Sequence, residues 1–420
     1  MKISKIIIDN IRCFEHLEID LTSKNQINQL TIFLGNNGVG KTTILRAIAL
    51  CLCEESSASG LLDELHGDWI RKESKEPARI KLEFEKPSGQ KKHPFIETTI
   101  KWSKYKEVEV TQTVEPKNRK FWDKLFVAAY GANRRTYGTV SYDEYTVTDA
   151  VYSLFNYAAN MQNPELNVRR MKFETNIKQL FRKIEDVLLL DKGSIRLERT
   201  GLSIKGPWGS YLPMGTMSDG YAAVLAWIMD IYGWKLLYEK KLRGVNVKGI
   251  ILLDEIEQHL HPVWQKEIMN RLSRQFKDVQ FFIATHSPIV ATNSSKMTTT
   301  DPNSKIFHIE WNGKARSIIS EVEEPLSELD YNQLLESEAF GHIINTNTKV
   351  DKLLKEMSEL ASIDKPNKNQ KTILSSIKKE LKPLMFPKGR TLIEREVERD
   401  FYKDLESKAD YMKKILNKKK

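Results

Sequence analysis

The sequence predicts an α/β fold built on a mixed sheet, with a flanking antiparallel sheet, a helical insertion and a helical C-terminal region. An apolar strand at 29–34 runs directly into a glycine-rich turn and a helix, the order in which parallel α/β folds are built. Strand and helix patterns alternate again after residue 217 and complete the same sheet. Between these halves, apolar residues recur at three- and four-residue intervals over 149–190, which indicates helices.

The individual elements follow from the apolar patterns. Short apolar runs at 3–8 and 17–21 predict a hairpin, and strand-like segments at 80–84, 98–102 and 107–113 predict the antiparallel sheet. The later core is predicted as a helix at 217–237, a strand at 249–253, a helix at 264–276 and a strand at 280–283. These patterns divide the chain into the N-terminal part of the α/β domain at 1–115, the helical insertion at 116–205, the C-terminal part of the α/β domain at 206–320 and a helical region at 321–420.

Composition excludes several classes of protein. The chain has 420 residues, of which 40% are hydrophobic and 29% are charged, so it can bury a sizeable core. Its apolar stretches fall short of the roughly 20 residues needed to cross a bilayer, so no membrane is expected. Three cysteines cannot form a disulfide framework, and the start lacks a signal peptide, so a cytoplasmic location is expected. The formal net charge of +10 makes DNA a candidate partner.

Residues 35–43 carry the most specific chemical signal. They match the pattern G-x-x-x-x-G-K-[ST], follow a strand and open a helix, a context that an incidental glycine-rich turn would not share. The glycines let backbone N–H groups turn toward a phosphate, while the helix N-terminus and Lys41 supply positive charge. The residues expected to bind the nucleotide are Asn36, Asn37, Gly38, Val39, Gly40, Lys41, Thr42 and Thr43.

A second motif ends the apolar strand at 250–253. Asp254 and Glu255 follow that strand directly, which is the form of a Walker B element, although a capped strand end is the alternative. Asp254 and Thr42 are expected to reach the same Mg²⁺ ion, and Glu255 is expected to polarise the attacking water as general base. Together the two motifs predict an enzyme that hydrolyses ATP with Mg²⁺ as cofactor.

Further motifs indicate a family. D-E-x-E-x-H-L-H-P at 254–262, A-T-H-S-P at 284–288, the opening at 10–14 and M-S-D-G-Y at 217–221 resemble the ABC-type ATPase heads of RecF, OLD and SMC proteins and of bacterial defence ATPases. The resemblance covers the chain from residue 1 to about 310. It implies that His286 is the switch histidine facing the γ-phosphate and that 257–261 form the D-loop. It also implies that Ser218 and Gly220 belong to a degenerate signature sequence that binds the nucleotide of another subunit.

The same resemblance implies partners. Because the signature would complete the site of a second copy, the chain is expected to form a homodimer, a dimer of dimers or a larger assembly. The segment 329–383 is similar to the tails of the ATPases of the Septu and retron-associated defence systems, which pair with a separate HNH-type nuclease. The resemblance therefore implies an ATPase subunit of a prokaryotic anti-phage defence complex that regulates a nuclease effector through its C-terminal region.

Two other functions stay open at this stage. The chain could be a RecF-like DNA-repair ATPase that acts directly on DNA. It could also be a nucleotide-gated scaffold with little hydrolysis, although such a scaffold has no need of the general base expected at Glu255.

Four residues have two explanations each. His259 and His261 form a His-x-His pair that could hold zinc, but no third or fourth ligand lies nearby in sequence. Cys51 and Cys53 lie two apart on one predicted helix and therefore face different directions, which favours packing over a metal pair.

The remaining candidates concern the surroundings of the nucleotide. The segment 130–134 is either a neighbour of the nucleotide or an ordinary turn, and no clear Q-loop is found. Arg12 and Phe14 could contact the base or a phosphate, whereas core packing is the alternative for Phe14. Four arginines are expected to lie on solvated faces or in ion pairs, namely Arg134, Arg135, Arg169 and Arg170.

Overall fold

The computed structural model describes most of the first 322 residues. It omits 25, 66–67, 88, 90–91, 104–107, 118–124, 135–141, 172–176, 200, 207–208, 218, 241–243, 294–303 and 313–315, and beyond 322 it describes only 326, 373, 376, 377 and 379. The chain divides into two compact units, Met1–Ile343 and Ile344–Lys420. The predicted C-terminal helical region therefore lies almost wholly outside the described residues. Within them, no helix is both long and apolar enough to span a bilayer.

The elements are numbered in chain order. The strands are β1 (Ile3–Ile11), β2 (Phe14–Asp20), β3 (Thr22–Ser23), β4 (Gln26–Ile27), β5 (Leu30–Leu34), β6 (Ala78–Phe84), β7 (Phe95–Trp102), β8 (Val108–Glu115), β9 (Val127–Tyr130), β10 (Ile195–Glu198), β11 (Gly201–Lys205), β12 (Tyr211–Pro213), β13 (Lys248–Leu253), β14 (Asp278–Thr285), β15 (Ser304–Trp311) and β16 (Ser317–Glu321). The helices are α1 (Lys41–Leu52), α2 (Glu55–Asp63), α3 (Val147–Val151), α4 (Pro164–Met171), α5 (Ile177–Val187), α6 (Asp219–Glu239) and α7 (Pro262–Gln275).

A six-stranded mixed sheet forms the centre of the first unit. Its order is β16-β15-β5-β14-β13-β9, and all neighbours pair in parallel except β16, which is antiparallel to β15. Its central strands are buried on both faces, so they consist of continuous apolar runs rather than an alternating pattern. Their carboxyl ends meet at one edge, where the motifs that follow β5, β13 and β14 come together.

Alternate residues of the central strands face two different cores. Ile32 and Ile251 contact the core formed with α5, α6 and α7, whereas Phe33 and Ile250 contact the core formed with α1 and the antiparallel sheet. That antiparallel sheet has the order β2-β1-β6-β7-β8. Helix α1 packs between the two sheets, and each of its residues except Thr42 is buried. The predicted mixed sheet with a flanking antiparallel sheet is confirmed.

The segment 116–205 is helical only in part. It contains α3, α4 and α5, as expected, but β9 belongs to the core sheet and pairs in parallel with β13. Strands β10 and β11 form a small separate sheet with β12. A short apolar run such as that at 125–129 is compatible with either a buried strand or a buried helix, and pairing with β13 decides in favour of a strand.

Cys51 in α1 and Cys53 at its C-cap are both buried in the core. Cys51 is fully buried, and its Sγ lies 3.6 Å from the carbonyl oxygen of Ile80 and 3.5 Å from that of Ile96. Burial raises the pKa of both Cys51 and Cys53 to about 12, so neither is a thiolate at neutral pH. This agrees with the packing explanation.

A buried carboxyl group links α6 to the edge of the core sheet. Asp230 accepts hydrogen bonds from the Tyr130 hydroxyl at 2.9 Å and from the Gln162 main-chain N–H at 2.7 Å. Burial raises the pKa of Asp230 to about 6, in spite of these hydrogen bonds. The ionised form of Asp230 therefore costs folding free energy.

We expect this cost to be visible in the pH dependence of stability. The folded-state pKa of Asp230 lies above its ordinary value of 3.8, so its contribution to the free energy of unfolding falls as pH rises from about 4 to about 6. The loss should reach up to about 3 kcal/mol. Asp230→Asn should lack this component, because an amide does not titrate in this range. The variant should still fold, because its amide can accept from Gln162 and donate to the Tyr130 hydroxyl. Urea unfolding between pH 4 and 7 measures the difference, with exposed Asp191→Asn as control; parallel curves for wild type and Asp230→Asn would contradict it.

Candidate functional site

The glycine-rich loop between β5 and α1 has the backbone of an anion-binding turn. Gly38 and Gly40 have φ angles of 83° and 105°, a left-handed conformation that favours glycine. Gly40 is also the N-cap residue of α1, and no side chain caps the helix. Nor does an acidic residue lie in its first turn. The first N–H groups of α1 are therefore available to an anion at the loop.

The turn between β1 and β2 packs closely against this loop at Gly40. A Cβ atom at Gly40 would lie only 2.6 Å from the Sγ of Cys13 and 2.7 Å from the ring of Phe14. Phe14 is fully buried, so the structure favours core packing for this residue over contact with a base. Arg12 lies over the ring of Trp69, with 4.7 Å between its guanidinium carbon and the ring centroid. The opening motif thus shapes the loop through packing.

Lys41 lies along the loop rather than in solvent. Its Nζ donates hydrogen bonds to the carbonyl oxygens of Gly35 at 2.7 Å and Asn36 at 2.8 Å. Burial lowers the pKa of Lys41, while the nearby carboxylates of Asp254, Glu257 and Glu255 oppose that shift. The ammonium group of Lys41 is therefore held beside the glycine-rich loop.

Thr42 and Asp254 meet where the loop and the β13 motif adjoin. The Thr42 hydroxyl donates a hydrogen bond to Oδ2 of Asp254 at 2.8 Å. Asp254 is buried, and its Oδ1 has no hydrogen-bond partner among the described residues. Burial raises the pKa of Asp254, the Thr42 hydrogen bond lowers it and Glu255 raises it further. A hydroxyl and a carboxylate with a free buried oxygen are the hard ligands that Mg²⁺ prefers, so the residues fit this ion.

Glu255 adopts a left-handed backbone conformation that Arg134 holds in place. Its φ angle is 46°, which is strained for a residue with a side chain. The Nη2 of Arg134 donates to the carbonyl oxygen of Asp254 at 2.5 Å and to that of Glu255 at 3.2 Å. The main-chain N–H of Asp254 also donates to the carbonyl of Tyr130 at 2.9 Å. The segment 130–134 is therefore a neighbour of the acidic site, not an ordinary turn.

The environment of Arg134 corrects its earlier assignment. We expected a solvated face or an ion pair, yet the guanidinium binds two main-chain carbonyls beside three acids. Burial lowers the pKa of Arg134 to about 10, and the carboxylates of Asp254, Glu257 and Glu255 oppose that shift. No sequence motif predicts the contact of Arg134 with the Asp254 carbonyl, because the two residues lie 120 positions apart in the chain.

Glu257 binds His286 at the end of β14. Its Oε1 accepts a hydrogen bond from the main-chain N–H of His286 at 2.7 Å and lies 3.0 Å from Nδ1 of the same residue. The side chain of Glu257 is only 7% exposed, whereas that of His286 is 48% exposed. The sequence resemblance gave Glu257 only a place in the D-loop, so this contact is a further finding.

The start of α6 contacts the turn at 257–261, which the resemblance predicts to be the D-loop. A Cβ atom at Gly220 would lie 2.5 Å from the carbonyl oxygen of His259, so the two segments touch. His259 itself is left-handed, with a φ angle of 64°. Ser218, the other predicted signature residue, lies outside the described residues.

His261 has a structural use in this turn. It is the N-cap residue of α7, and its Nδ1 accepts a hydrogen bond from the main-chain N–H of Val263 at 3.4 Å. In the described part of the chain, no group of three or more histidine, cysteine, aspartate and glutamate residues is placed to hold a metal ion. The geometry thus gives no support to the zinc alternative.

Two family models match the chain. Residues 5–198 match the family model described as AAA domain, and residues 141–292 match a second AAA domain model whose description also names AbiEii toxin and a type IV TA system. The two matches together span the phosphate loop, the Asp254 motif and His286.

The relatives similar to this chain include a Septu protein and two retron ATPases. The chain is 30% identical over 293 residues to the Septu protein PtuA of Bacillus mycoides, a match that covers 68% of this chain and 38% of that protein. It is 36% identical over 101 residues to the Retron Vc95 probable ATPase of Vibrio cholerae, covering 24% of this chain and 19% of that protein. The Retron Ec83 probable ATPase of Escherichia coli is 44% identical over 75 residues, covering 18% and 14%. These matches confirm the resemblance stated from the motifs, although the chain spans well under half of each relative's length.

Solved structures similar to this one include two SMC heads. The SMC head domain from Thermotoga maritima has a TM-score of 0.46 and 17% identity, covering 77% of this chain and all of that chain. An SMC head bound to the C-winged helix domain of ScpA has a TM-score of 0.49 and 15% identity, covering 78% of this chain and all of that chain.

We expect Asp254→Asn to separate the cost of the buried charge from its use. Without Mg²⁺ the variant should unfold at a higher temperature than the wild type, because it removes a buried carboxylate that has one unpaired oxygen. Addition of ATP with Mg²⁺ should raise the unfolding temperature of the wild type but have little effect on the variant. Differential scanning calorimetry with and without EDTA measures both, and Asp278→Asn at the exposed start of β14 is the control. An equal Mg²⁺-dependent rise in both proteins would contradict the assignment of Asp254.

Proposed function

We propose that this chain, with its similarity to ATPases of the Septu and retron groups, is an ABC-type ATPase that hydrolyses ATP to ADP and phosphate. The observation that carries the proposal is the Thr42–Asp254 contact, which joins the phosphate loop to the acidic end of β13. Hydrolysis of ATP requires both parts, one to hold the phosphates and one to bind Mg²⁺ and activate water.

Each residue of the site has a role in this proposal. Residues 36–43 hold the phosphates through loop N–H groups, the N-terminus of α1 and the charge of Lys41. Thr42 and Asp254 bind Mg²⁺, which neutralises phosphate charge when it is bound. Glu255 accepts a proton from the attacking water, and Arg134 holds its backbone in the conformation that directs it. His286 faces the γ-phosphate.

We extend the proposal to a composite site made by two copies of the chain. Ser218 and Gly220 of one copy would contact the γ-phosphate bound by Lys41 of the other, with larger assemblies built from such dimers. The contact of Gly220 with the His259 carbonyl supports this, because it joins the start of α6 to a turn with exposed residues. The adjoining first turn of α7 carries the apolar Val263, which is 57% exposed. Binding of ATP would then favour association.

The proposed biological role is anti-phage defence. The similarity to the Septu protein and to the retron ATPases supports it, as does the mention of a type IV TA system in one matched family description. In this role the ATPase controls a separate HNH-type nuclease, with 321–420 as the partner-binding region.

Direct action on DNA is the weaker candidate. The outer face of the antiparallel sheet carries basic residues, but acids neutralise them in the pairs Lys5–Glu18, Arg79–Asp9 and Lys101–Glu109. A DNA-binding face would instead leave phosphate-binding cations unpaired. Salt-dependent binding of duplex DNA by the purified chain would favour repair over control of a nuclease.

Turnover by Glu255→Gln tests the proposed hydrolysis. The variant should bind ATP with Mg²⁺ as the wild type does, but its kcat should fall by roughly 100-fold or more, since the amide cannot accept the proton. Release of phosphate measures kcat, and calorimetric titration with ATP measures binding. Glu198→Gln, at an exposed site on β10, should keep wild-type turnover. Equal turnover in wild type and Glu255→Gln would favour the nucleotide-gated scaffold.

The composite site predicts association driven by ATP. Light scattering after size exclusion should give a dimer or a larger assembly for Glu255→Gln with ATP and Mg²⁺, and a smaller species with ADP. Ser218→Arg should abolish this association, because a bulky cation replaces the contact with the γ-phosphate, yet leave binding of one ATP per chain intact. A mass independent of nucleotide in both variants would rule out this arrangement.

A further inference from the structure

We infer that Glu257 is the positioning residue of His286, which it holds with Nδ1 turned inward and Nε2 turned outward. The assignment of the γ-phosphate as the group that Nε2 contacts rests on the proposed function. The orientation of the ring and the tautomer of its neutral form do not, because they follow from contacts within this chain.

A single carboxylate oxygen binds two parts of His286. Oε1 of Glu257 accepts from the main-chain N–H at 2.7 Å and lies 3.0 Å from Nδ1 of the ring. Contact with both the backbone and the ring limits the orientations that the side chain can adopt. The turn beyond is also fixed, since the Ser287 hydroxyl donates to Gln265 at 2.7 Å.

The chemistry of the pair selects one tautomer. An ionised carboxylate can only accept hydrogen bonds, so Nδ1 of the neutral ring must carry the proton. Nε2 of this half-exposed side chain is then the hydrogen-bond acceptor of the neutral ring, and it donates to an anionic oxygen only when the ring carries a second proton.

The side chain of Glu257 is shielded from solvent. The side chain is 7% exposed, and Oε2 has no hydrogen-bond partner among the described residues. Because water competes little for this buried carboxylate, its contact with Nδ1 of His286 is favoured over contact with solvent.

Nitrogen NMR of the imidazole rings tests this directly. In protein labelled with ¹⁵N-histidine and held at pH 8, the ring assigned to His286 by its loss in His286→Asn should carry its proton on Nδ1. In Glu257→Ala the proton should move predominantly to Nε2, whereas Glu257→Gln should retain the Nδ1 proton, because its amide oxygen still accepts. Glu255→Gln is the matched control and should leave the His286 signals unchanged. A wild-type His286 with its proton on Nε2 would overturn the inference, even if Glu257→Ala did not fold.

Kinetics then separate positioning from a general loss of structure. Glu257→Ala should lower kcat on the order of 10- to 100-fold with a smaller change in KM, and Glu257→Gln should recover part of that loss. Combined with His286→Asn, Glu257→Ala should add little further loss, since both changes remove the same contact. Additive losses would contradict positioning through His286. Absence of turnover in the wild type would refute the proposed function alone and leave the NMR result to decide this inference.

Discussion

The hydrogen bond between the Thr42 hydroxyl and Asp254 determines how the two halves of the site face each other. It connects residues 212 positions apart, and α1 and β13 can make it only because the core sheet fixes both. Helix α1 is buried between two sheets, so the loop at its start has little freedom relative to the carboxyl end of β13. A movement of either element by even 1 Å would separate the hydroxyl from the carboxylate.

This arrangement concentrates charges that a stable core would avoid. Asp254 and Glu257 are buried, each with one oxygen that has no partner among the described residues, and Lys41 and Arg134 lie near both. Desolvation lowers the pKa of each cation and raises that of Asp254, whereas the opposite charges favour the ionised forms. Buried ion clusters of this kind contribute little net stability, so we expect their value to be functional.

How far the sequence predicts the structure depends on the range of the interactions. The phosphate loop and the end of β13 were predictable because each consists of neighbouring residues with a fixed local pattern. Arg134 and Glu257 were not, because their contacts with the Glu255 backbone and with His286 depend on the packing of β9, β13 and β14 side by side. Strand β9 was included in a helical insertion for a related reason, since four apolar residues do not specify their own partner.

Tyr130 shows how the core transmits position from α6 to the site. Its hydroxyl donates to Asp230 in the middle of α6, while its carbonyl accepts from the main-chain N–H of Asp254. A shift of α6 along its axis must either break the hydrogen bond to a buried carboxylate or move β9 against β13. Leaving that carboxylate with one donor fewer would cost about 1–3 kcal/mol, so the two elements move together in small displacements. The hydrogen bonds of Tyr130 therefore join helix α6 to Asp254, which directly follows β13.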